Sequence, residues 1–529
     1  MQTARRQSCD IRAQRFAASA RVDLAWLALL GSAAVVVLCV LLLRQRSDRA
    51  LSSARAPLEV FCAAALKGPV EAVAREYEKE FGVPVQLSFG ASQTLLTSLE
   101  VARRGDLYLP ADDSFLQLAR SKGLIAECIP LARLHAVVAV AQGNPHRLRS
   151  LADLLRSEVR LGQANPDAAA IGKLTREALQ ASGHWEALAR RTVVFKPTLH
   201  DVANDVKLGT VDAGIIWDAV ARQYAGLETL KVPELDGVQA HVSLAVLHSS
   251  PQPAAALRFA RYLAARDKGL AELARQGFAV EAGDRWAELP KLVLYSGAML
   301  RPAIEETLTR FEQREGVQID RVYNGCGILT AQMRAEATPD AYFACDVSFM
   351  DQVRDLFLDS FDVSANPLVI LVPKGNPLGI QSLADLTRRG LRLGLAHEQQ
   401  SALGALTRTL LLTNGVYAGV RANLKVESAT GDFLVNQLRT GSLDAVIAYR
   451  SNALLAGDHL EALPIDSPAA RALQPLAVAR QTPYPQLAAR LCLALLSPES
   501  RARFEASGFG WRADAGRRPA LSDALPRLE

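Results

Sequence analysis

The chain has 529 residues, 50% of them hydrophobic, and a formal net charge of +5. This length and composition allow more than one buried core, and domains of about 220 residues fit the usual size range. The charge is small, and no basic run is interleaved with aromatic residues. We therefore predict no nucleic-acid binding.

An uncharged apolar segment covers residues 24–43. A helix of about 20 such residues crosses a bilayer, whereas a cleaved signal peptide usually has a shorter apolar region. Arginines are more numerous before the segment than after it, which places the N-terminus in the cytoplasm. We predict a cytoplasmic tail (1–23), a single-pass anchor in the cytoplasmic membrane (24–43), a linker (44–57) and extracytoplasmic domains in the periplasm or outside the cell.

The rest of the chain contains a long internal repeat. Residues 58–83 align without a gap on residues 292–317, and Ser150-Leu-Ala-Asp153 returns as Ser382-Leu-Ala-Asp385. A repeat this long indicates duplicated domains, since the repeats of solenoids are far shorter. The predicted organisation is a first domain (58–278), a linker (279–291), a second domain (292–511) and a C-terminal tail (512–529).

Strands and helices alternate within each copy. The predicted elements are strands at 58–61 and 292–295, amphipathic helices that follow them, strands at 83–89 and 317–323, and helices at 94–104 and 328–336. This order predicts an α/β fold with a parallel sheet, whose ligands bind beyond the carboxyl ends of the strands. The helix N-termini there favour an anion.

Apolar strands in the middle and near the end of each copy complete the pattern. They are predicted at 136–141 and 242–247 in the first copy and at 368–372 and 476–479 in the second. These segments take the chain from one half of the copy to the other and back. The sequence therefore predicts two α/β lobes with a central cleft in each copy.

Five segments of the first copy carry a family resemblance: Val60-Phe-Cys-Ala-Ala-Ala-Leu66, Ser88-Phe-Gly-Ala-Ser-Gln-Thr-Leu95, Gly105-Asp-Leu-Tyr-Leu-Pro-Ala-Asp112, Gly214-Ile-Ile-Trp217 and Gly277-Phe278. Together they resemble the molybdate-binding proteins of ABC importers, which are type II periplasmic binding proteins. The resemblance covers nearly all of both copies. It implies a small oxyanion held by two serines, two backbone N–H groups and a tyrosine, with an ABC permease and ATPase as partners and no cofactor.

The first copy keeps part of the set that the resemblance implies. Ser92 matches the second serine, and Ala111 matches the alanine that donates a backbone N–H. Ala65 stands at the first serine position and lacks the hydroxyl. Ala169 lies in the mid-chain loop and offers a backbone N–H, while Trp217 replaces the tyrosine with an indole N–H donor. These five residues are the predicted ligand site.

The second copy departs further from the family. Met299 and Cys326 stand at the two serine positions, and Cys345 replaces the alanine. His397 lies in the mid-chain loop, and Tyr449 is retained. We predict that these five residues line a cleft that no longer binds molybdate, because a thioether donates nothing and a thiol donates weakly.

Three interpretations of the second cleft remain open from the sequence. Cys326 and Cys345 pack as small apolar residues, or form a disulfide outside the cytoplasm, or bind a soft metal together with Met299. No Ser-His-Asp order, Gly-x-Ser-x-Gly elbow, Walker loop or metal-hydrolase His pair is present. Cys326 and His397 as nucleophile and base would lack a supporting third group, so we predict no enzymatic activity. The predicted function is capture of a small oxyanion for import, and the alternative is a sensor or a module that handles soft metals or redox chemistry.

Overall fold

The computed structural model describes residues 56–335, 338–455 and 457–513. The predicted anchor at 24–43 lies outside these residues, as does nearly all of the C-terminal tail. Within the described ranges, no helix combines the length and the apolar character needed to cross a membrane. Residues 58–77 and 86–513 belong to one compact unit.

The strands follow the duplication. In the first copy they are β1 (Leu58–Ala63), β2 (Val85–Gly90), β3 (Leu107–Leu109), β4 (Ile125–Ala141), β5 (Leu161–Ala164), β6 (Thr192–Lys196), β7 (Ala213–Trp217), β8 (Leu227–Leu230), β9 (Gln239–Leu247) and β10 (Ala279–Val280). In the second copy they are β11 (Lys291–Gly297), β12 (Gln318–Asn324), β13 (Ala341–Phe343), β14 (Phe361–Pro373), β15 (Leu393–Ala396), β16 (Leu424–Ser428), β17 (Ala445–Tyr449), β18 (Leu460–Pro464), β19 (Arg471–Val478) and β20 (Gly510–Trp511).

The helices connect these strands. The first copy has α1 (Lys67–Phe81), α2 (Ser92–Ala102), α3 (Ser114–Ser121), α4 (Leu151–Leu154), α5 (Ala170–Ala181), α6 (Trp185–Arg191), α7 (Leu199–Leu208), α8 (Asp218–Ala221), α9 (Pro253–Leu263) and α10 (Gly269–Arg275). The second copy has α11 (Arg301–Glu315), α12 (Cys326–Ala335), α13 (Val347–Asp351), α14 (Ala402–Thr413), α15 (Tyr417–Ala422), α16 (Gly431–Arg439), α17 (Arg450–Leu455), α18 (Pro485–Leu495) and α19 (Pro498–Ala506).

The predicted α/β fold is confirmed, but the sheets are mixed and not parallel throughout. The strand order is β2-β1-β3-β9-β4-β7-β5-β6 in the first copy, and the second copy repeats it as β12-β11-β13-β19-β14-β17-β15-β16. β1 and β3 are parallel, whereas β9 runs antiparallel to both β3 and β4. The prediction of a parallel sheet was wrong because β9 and β19, on which the chain returns to the first lobe, are antiparallel to their neighbours.

One long strand in each copy joins the two lobes. The part of β4 before residue 136 pairs with β9, and residues 136–140 pair with β7. In the second copy, β14 divides in the same way between β19 and β17. The chain returns to the first lobe between β8 and β9. The carboxyl ends of the parallel strands in both lobes therefore face the region where the chain passes between the lobes. The predicted site residues lie in this region.

Buried charges connect the two copies. Glu315, at the end of α11, accepts hydrogen bonds from Arg490 on α18 at 2.7 and 3.1 Å and from Arg261 on α9 of the first copy. Asp284, between the copies, accepts the backbone N–H of Gln486 at 2.8 Å. Burial raises the pKa of Asp284 to about 6. Each buried charge thus has partners, which is the condition under which buried ions are tolerated.

Candidate functional site

Ser92 is the first residue of α2, two positions before the predicted helix start. Its Oγ accepts the backbone N–H of Ala111 at 3.1 Å, and its carbonyl accepts the Tyr108 hydroxyl at 2.8 Å. The helix cap is Ala91 and not Ser92, so the serine is not occupied in capping its own helix. The described residues contain no acceptor for the Ser92 hydroxyl proton. The structure therefore brings Ser92 and Ala111 together and leaves one O–H donor available.

Trp217 ends β7 and is fully buried. Its backbone pairs with Ala136 at the point where β4 passes from one lobe to the other. The indole Nε1–H has no hydrogen-bond partner among the described residues. A buried donor without an acceptor costs about 1–3 kcal/mol, so this N–H calls for an acceptor that the described protein does not supply.

The two other predicted residues of the first copy offer less. Ala65 lies in the short turn after β1 and is buried, so it presents only a methyl group. Ala169 caps α5, but its backbone N–H already donates to the carbonyl of Asn165 at 2.9 Å.

Three contacts join the lobes of the first copy around these residues. The backbone N–H of Gln93 donates to the carbonyl of Ala168 at 3.2 Å, and Lys173 donates to the Ser114 hydroxyl at 2.8 Å. His200 Nε2 donates to the carbonyl of Ala64 at 2.8 Å, which leaves Nδ1 to accept the Tyr224 hydroxyl at 2.9 Å. Burial lowers the pKa of His200, which keeps its ring neutral.

The second copy rebuilds the same position with sulfur. Cys326 is the first residue of α12, and its Sγ accepts the backbone N–H of Cys345 at 3.0 Å. The Sγ atoms of Cys326 and Cys345 are 2.7 Å apart. Both cysteines are free and buried. They belong to the same lobe, so a bond between them would link two predicted ligand loops without closing the cleft.

The two thiols have different acidities. Burial alone would raise the pKa of Cys326, but hydrogen bonds from the thiol and the backbone N–H of Cys345 outweigh it and lower that pKa. The pKa of Cys345 is raised, first by its hydrogen bond to Cys326 and then by burial. Cys326 is therefore the sulfur on which negative charge is better stabilised.

Glycines make room for this arrangement. Gly297 stands where the first copy has Ala63, and a Cβ there would overlap the sulfur of Cys345. Gly327 stands where the first copy has Gln93, and a Cβ there would overlap the carbonyl of Gln399 in the other lobe. In the second cleft, the Cys345 sulfur therefore occupies the space of the Ala63 methyl group, and the Gln399 carbonyl occupies the space of the Gln93 side chain.

The other predicted residues of the second cleft divide into two groups. Met299, Cys326, Cys345 and Tyr449 belong to one buried apolar cluster. The Tyr449 hydroxyl has no partner among the described residues, and burial followed by the neighbouring thiols raises its pKa. His397 is instead a turn residue, because its Nδ1 accepts the backbone N–H groups of Gln399 and Gln400.

No group of three or more His, Cys, Asp and Glu side chains that could hold a metal ion occurs within residues 56–335, 338–455 and 457–513. The sequence also left two relevant residues unnoticed. Ser401 caps α14 as Ala169 caps α5. The offset between Asn144-Pro145 and Asn376-Pro377 also carries Ala169 onto Ser401, so the sequence repeat could have identified this match. His200 had no signal in the sequence, because its importance depends on a contact between lobes.

Individual proteins of known sequence or structure each match a little under half of this chain. The molybdate-binding protein ModA of Mycobacterium tuberculosis H37Rv is 30% identical over 224 residues, which cover 42% of this chain and 83% of that protein. A putative binding protein of Haemophilus influenzae is 26% identical over 238 residues, or 44% of this chain and 93% of that protein. The structure of the Azotobacter vinelandii periplasmic molybdate-binding protein matches with 17% identity and a TM-score of 0.38. This match covers 42% of this chain and 100% of that chain.

The family model described as bacterial extracellular solute-binding protein matches twice, at residues 58–279 and 292–510. These matches cover most of the chain and confirm the tandem duplication that the sequence predicted. The chain therefore belongs to the bacterial extracellular solute-binding proteins, with two copies of the family's domain in one polypeptide.

Proposed function

We propose that the first copy captures a small oxyanion of the molybdate type for an ABC importer. The observation that carries this proposal is a pair of buried donors, the Trp217 indole N–H and the Ser92 hydroxyl, for which residues 56–335, 338–455 and 457–513 supply no acceptor. A fully deprotonated oxyanion offers acceptors and no donors, so it satisfies both groups. The relatives named as molybdate-binding proteins support the same ligand class.

Affinity should be lower than in a site with every hydroxyl present. Ala65 contributes a methyl group where the family resemblance implies a serine. A hydrogen bond to a charged group contributes about 1.5–3 kcal/mol, and about 1.4 kcal/mol is a tenfold change in Kd. The first copy is therefore expected to bind roughly tenfold or more weakly than a complete site.

The second copy has a different role in this account. Its serine positions carry Met299 and Cys326, and Cys326 is the sulfur whose thiolate is better stabilised. A thiolate repels an oxyanion and donates no hydrogen bond to it. We infer that the second copy does not capture the anion and that it serves as a partner to the first.

Calorimetry on the full chain tests this function. Molybdate, tungstate, sulfate and phosphate would be titrated separately, with Ser92→Ala as the disrupting variant and Cys326→Ala at the matching position as the control. Ser92→Ala should weaken binding by about tenfold or more, since it removes a donor to a charged ligand. Cys326→Ala should leave binding unchanged. If none of the four anions binds below about millimolar, oxyanion capture by the first copy is wrong.

We also propose that residues 24–43 anchor the chain in the cytoplasmic membrane, with both copies on the outer side. The uncharged apolar run and the excess of arginines before it support this topology. Protease added to spheroplasts should then degrade both copies while the N-terminal tail stays protected. Full protection of residues 58–511 in intact spheroplasts would contradict the proposal.

A further inference from the structure

Three neighbouring positions change together between the two clefts. The first copy has Ala63, Ser92 and Ala111, and the second has Gly297, Cys326 and Cys345 at the matching positions. Because a Cβ at position 297 would overlap the Cys345 sulfur, the glycine provides the space that this sulfur occupies. Independent packing substitutions would not require such a match. The three changes together build one feature, a pair of sulfur atoms in contact.

The surroundings of the pair do not complete a structural zinc site. Structural zinc takes four protein ligands, and the described residues contain no cluster of three or more His, Cys, Asp and Glu side chains suited to a metal. The Nδ1 atom of His397 is already an acceptor within its own turn. The Sγ atoms are 2.7 Å apart, closer than the roughly 3.5–4 Å of ordinary packing contacts.

We propose that Cys326 and Cys345 are a reversible oxidation site that forms an intradomain disulfide, with a low-molecular-weight disulfide as the oxidant. This inference is independent of the anion-binding function proposed for the first copy. The bond joins the loop after β12 to the loop after β13, both in the first lobe of the second copy. It fixes the two loops and leaves the lobes free to move.

The geometry assigns an order to the reaction. The Cys326 sulfur accepts the backbone N–H of Cys345 at 3.0 Å, which stabilises negative charge on it, so Cys326 is the thiolate that attacks one sulfur of the oxidant RSSR and expels RS⁻. Cys345 then gives its proton to the RS⁻ that has left. The Cys345 thiolate attacks the Cys326 sulfur of the mixed disulfide and releases the second RS⁻. This second RS⁻ takes up the proton that Cys326 lost. The net change is two protein thiols plus RSSR to one protein disulfide plus two RSH.

Access to the pair requires the cleft to open. Both cysteines are buried, and Gly327 holds the carbonyl of Gln399 from the other lobe against the start of α12. Small disulfides such as oxidised glutathione are therefore suitable probes, and oxidation should be slower than for an exposed dithiol. Once formed, the disulfide has no S–H group, so it presents no hydrogen-bond donor where Ser92 presents one in the first copy.

Thiol counting on the full chain tests the proposal. The folded protein would be equilibrated with oxidised glutathione, unfolded in excess alkylating agent and analysed by peptide mass spectrometry. The chain has seven cysteines. We expect five to be alkylated, the peptides of Cys326 and Cys345 to be cross-linked, and all seven to be alkylated after reduction.

A matched control removes buried cysteines elsewhere. The double variant Cys62→Ser/Cys492→Ala replaces each residue by its counterpart, Ser296 in the second copy and Ala260 in the first. It should form the same cross-link, with two fewer alkylated cysteines. Alkylation of all seven cysteines of the unmodified chain after oxidation would overturn the proposal. So would a bound metal ion that blocks oxidation until a chelator removes it.

Thermal unfolding gives a second readout. A disulfide across a loop of this length stabilises by an amount that corresponds to a Tm shift of about 5–10 °C, so reduction should lower the Tm of the unmodified chain by that much. The shift should persist in the control and vanish in Cys345→Ala. If Cys345→Ala does not fold, the triple variant Gly297→Ala/Cys326→Ser/Cys345→Ala, which restores the residues of the first copy, replaces it. A reduction-dependent shift that survives removal of the pair would contradict the proposal.

Discussion

The two clefts share one backbone contact and differ in the chemistry around it. The N–H of Ala111 donates to the Ser92 oxygen at 3.1 Å, and the N–H of Cys345 donates to the Cys326 sulfur at 3.0 Å. The loops have thus kept their position while oxygen was exchanged for sulfur. Duplication therefore preserved the backbone of the two loops and changed the side-chain atoms that they present at the predicted ligand site.

The largest loss of stability is expected from removing the negative charge of Glu315, which the first copy lacks at the matching position. Glu315 is buried between Arg261 and Arg490, where the repeat places Phe81 in the first copy. Glu315→Gln should destabilise the chain by about 3–5 kcal/mol in urea unfolding, because two buried cations lose their counter-charge. Glu306→Gln, which affects an exposed pair with Arg503, should change little. Equal effects of the two variants would show that the buried charges do not join the copies.

Exchanging the small residue behind the sulfur tests whether Gly297 is matched to Cys345. Gly297→Ala introduces the methyl group of the first copy and overlaps the Cys345 sulfur, so we expect a loss of about 1–3 kcal/mol in urea unfolding. The reciprocal variant Ala63→Gly should cost about 1 kcal/mol or less. If both variants cost the same, the glycine is not matched to the cysteine.

Restoring a hydroxyl should affect the first copy alone. Ala65→Ser adds the donor that the family resemblance implies, and molybdate affinity measured by calorimetry should rise about tenfold. Met299→Ser makes the matching change in the second copy, where Cys326 still occupies the other serine position. It should leave the affinity and stoichiometry unchanged. A gain from Met299→Ser would indicate that the second cleft binds the anion after all.

The smallest effect is a pH dependence confined to the first copy. Burial lowers the pKa of His200, and the nearby Asp201 and Lys67 act in opposite directions on it. A depressed histidine pKa means that the stabilisation is present above the ordinary pKa of about 6.5 and is lost as pH falls through the lower folded value. Protonated Nδ1 can no longer accept the Tyr224 hydroxyl, although Nε2 still donates to Ala64. The free energy of unfolding of the chain should therefore fall toward pH 5.

His200→Gln provides the control, because glutamine both donates and accepts without titrating. Its free energy of unfolding in urea should vary less between pH 5 and pH 8 than that of the unmodified chain. A profile with the same slope in both proteins would assign the pH dependence to another group.

Much of this comparison could be predicted from the sequence. The repeat predicted two α/β copies. The resemblance to the family predicted that Cys326 and Cys345 line one cleft, and the structure has their sulfurs in contact. The starts of α2 and α12 were misplaced by two residues, because Ser92 and Cys326 lie inside their helices and do not cap them. Helix boundaries are set by local backbone geometry, which hydrophobic periodicity does not report.

The remaining features depend on contacts between distant parts of the chain. The antiparallel return of β9 and β19 was missed because strand direction within a sheet is a tertiary property. The Arg261–Glu315–Arg490 cluster had no local signal, since its charges come from three helices in two copies. The role of Gly297 emerged only once the Cys345 sulfur had a position.

The most direct test of the account is the number of anions bound per chain and the residue on which binding depends. Native mass spectrometry or calorimetry of the full chain with molybdate should give one anion per chain. Trp217→Phe should weaken that binding by about tenfold to a hundredfold, since it removes a buried donor to a charged ligand. Tyr449→Phe, at the matching position of the second copy, should leave it unchanged. Two anions per chain, or a loss of binding in Tyr449→Phe with retention in Trp217→Phe, would contradict the account.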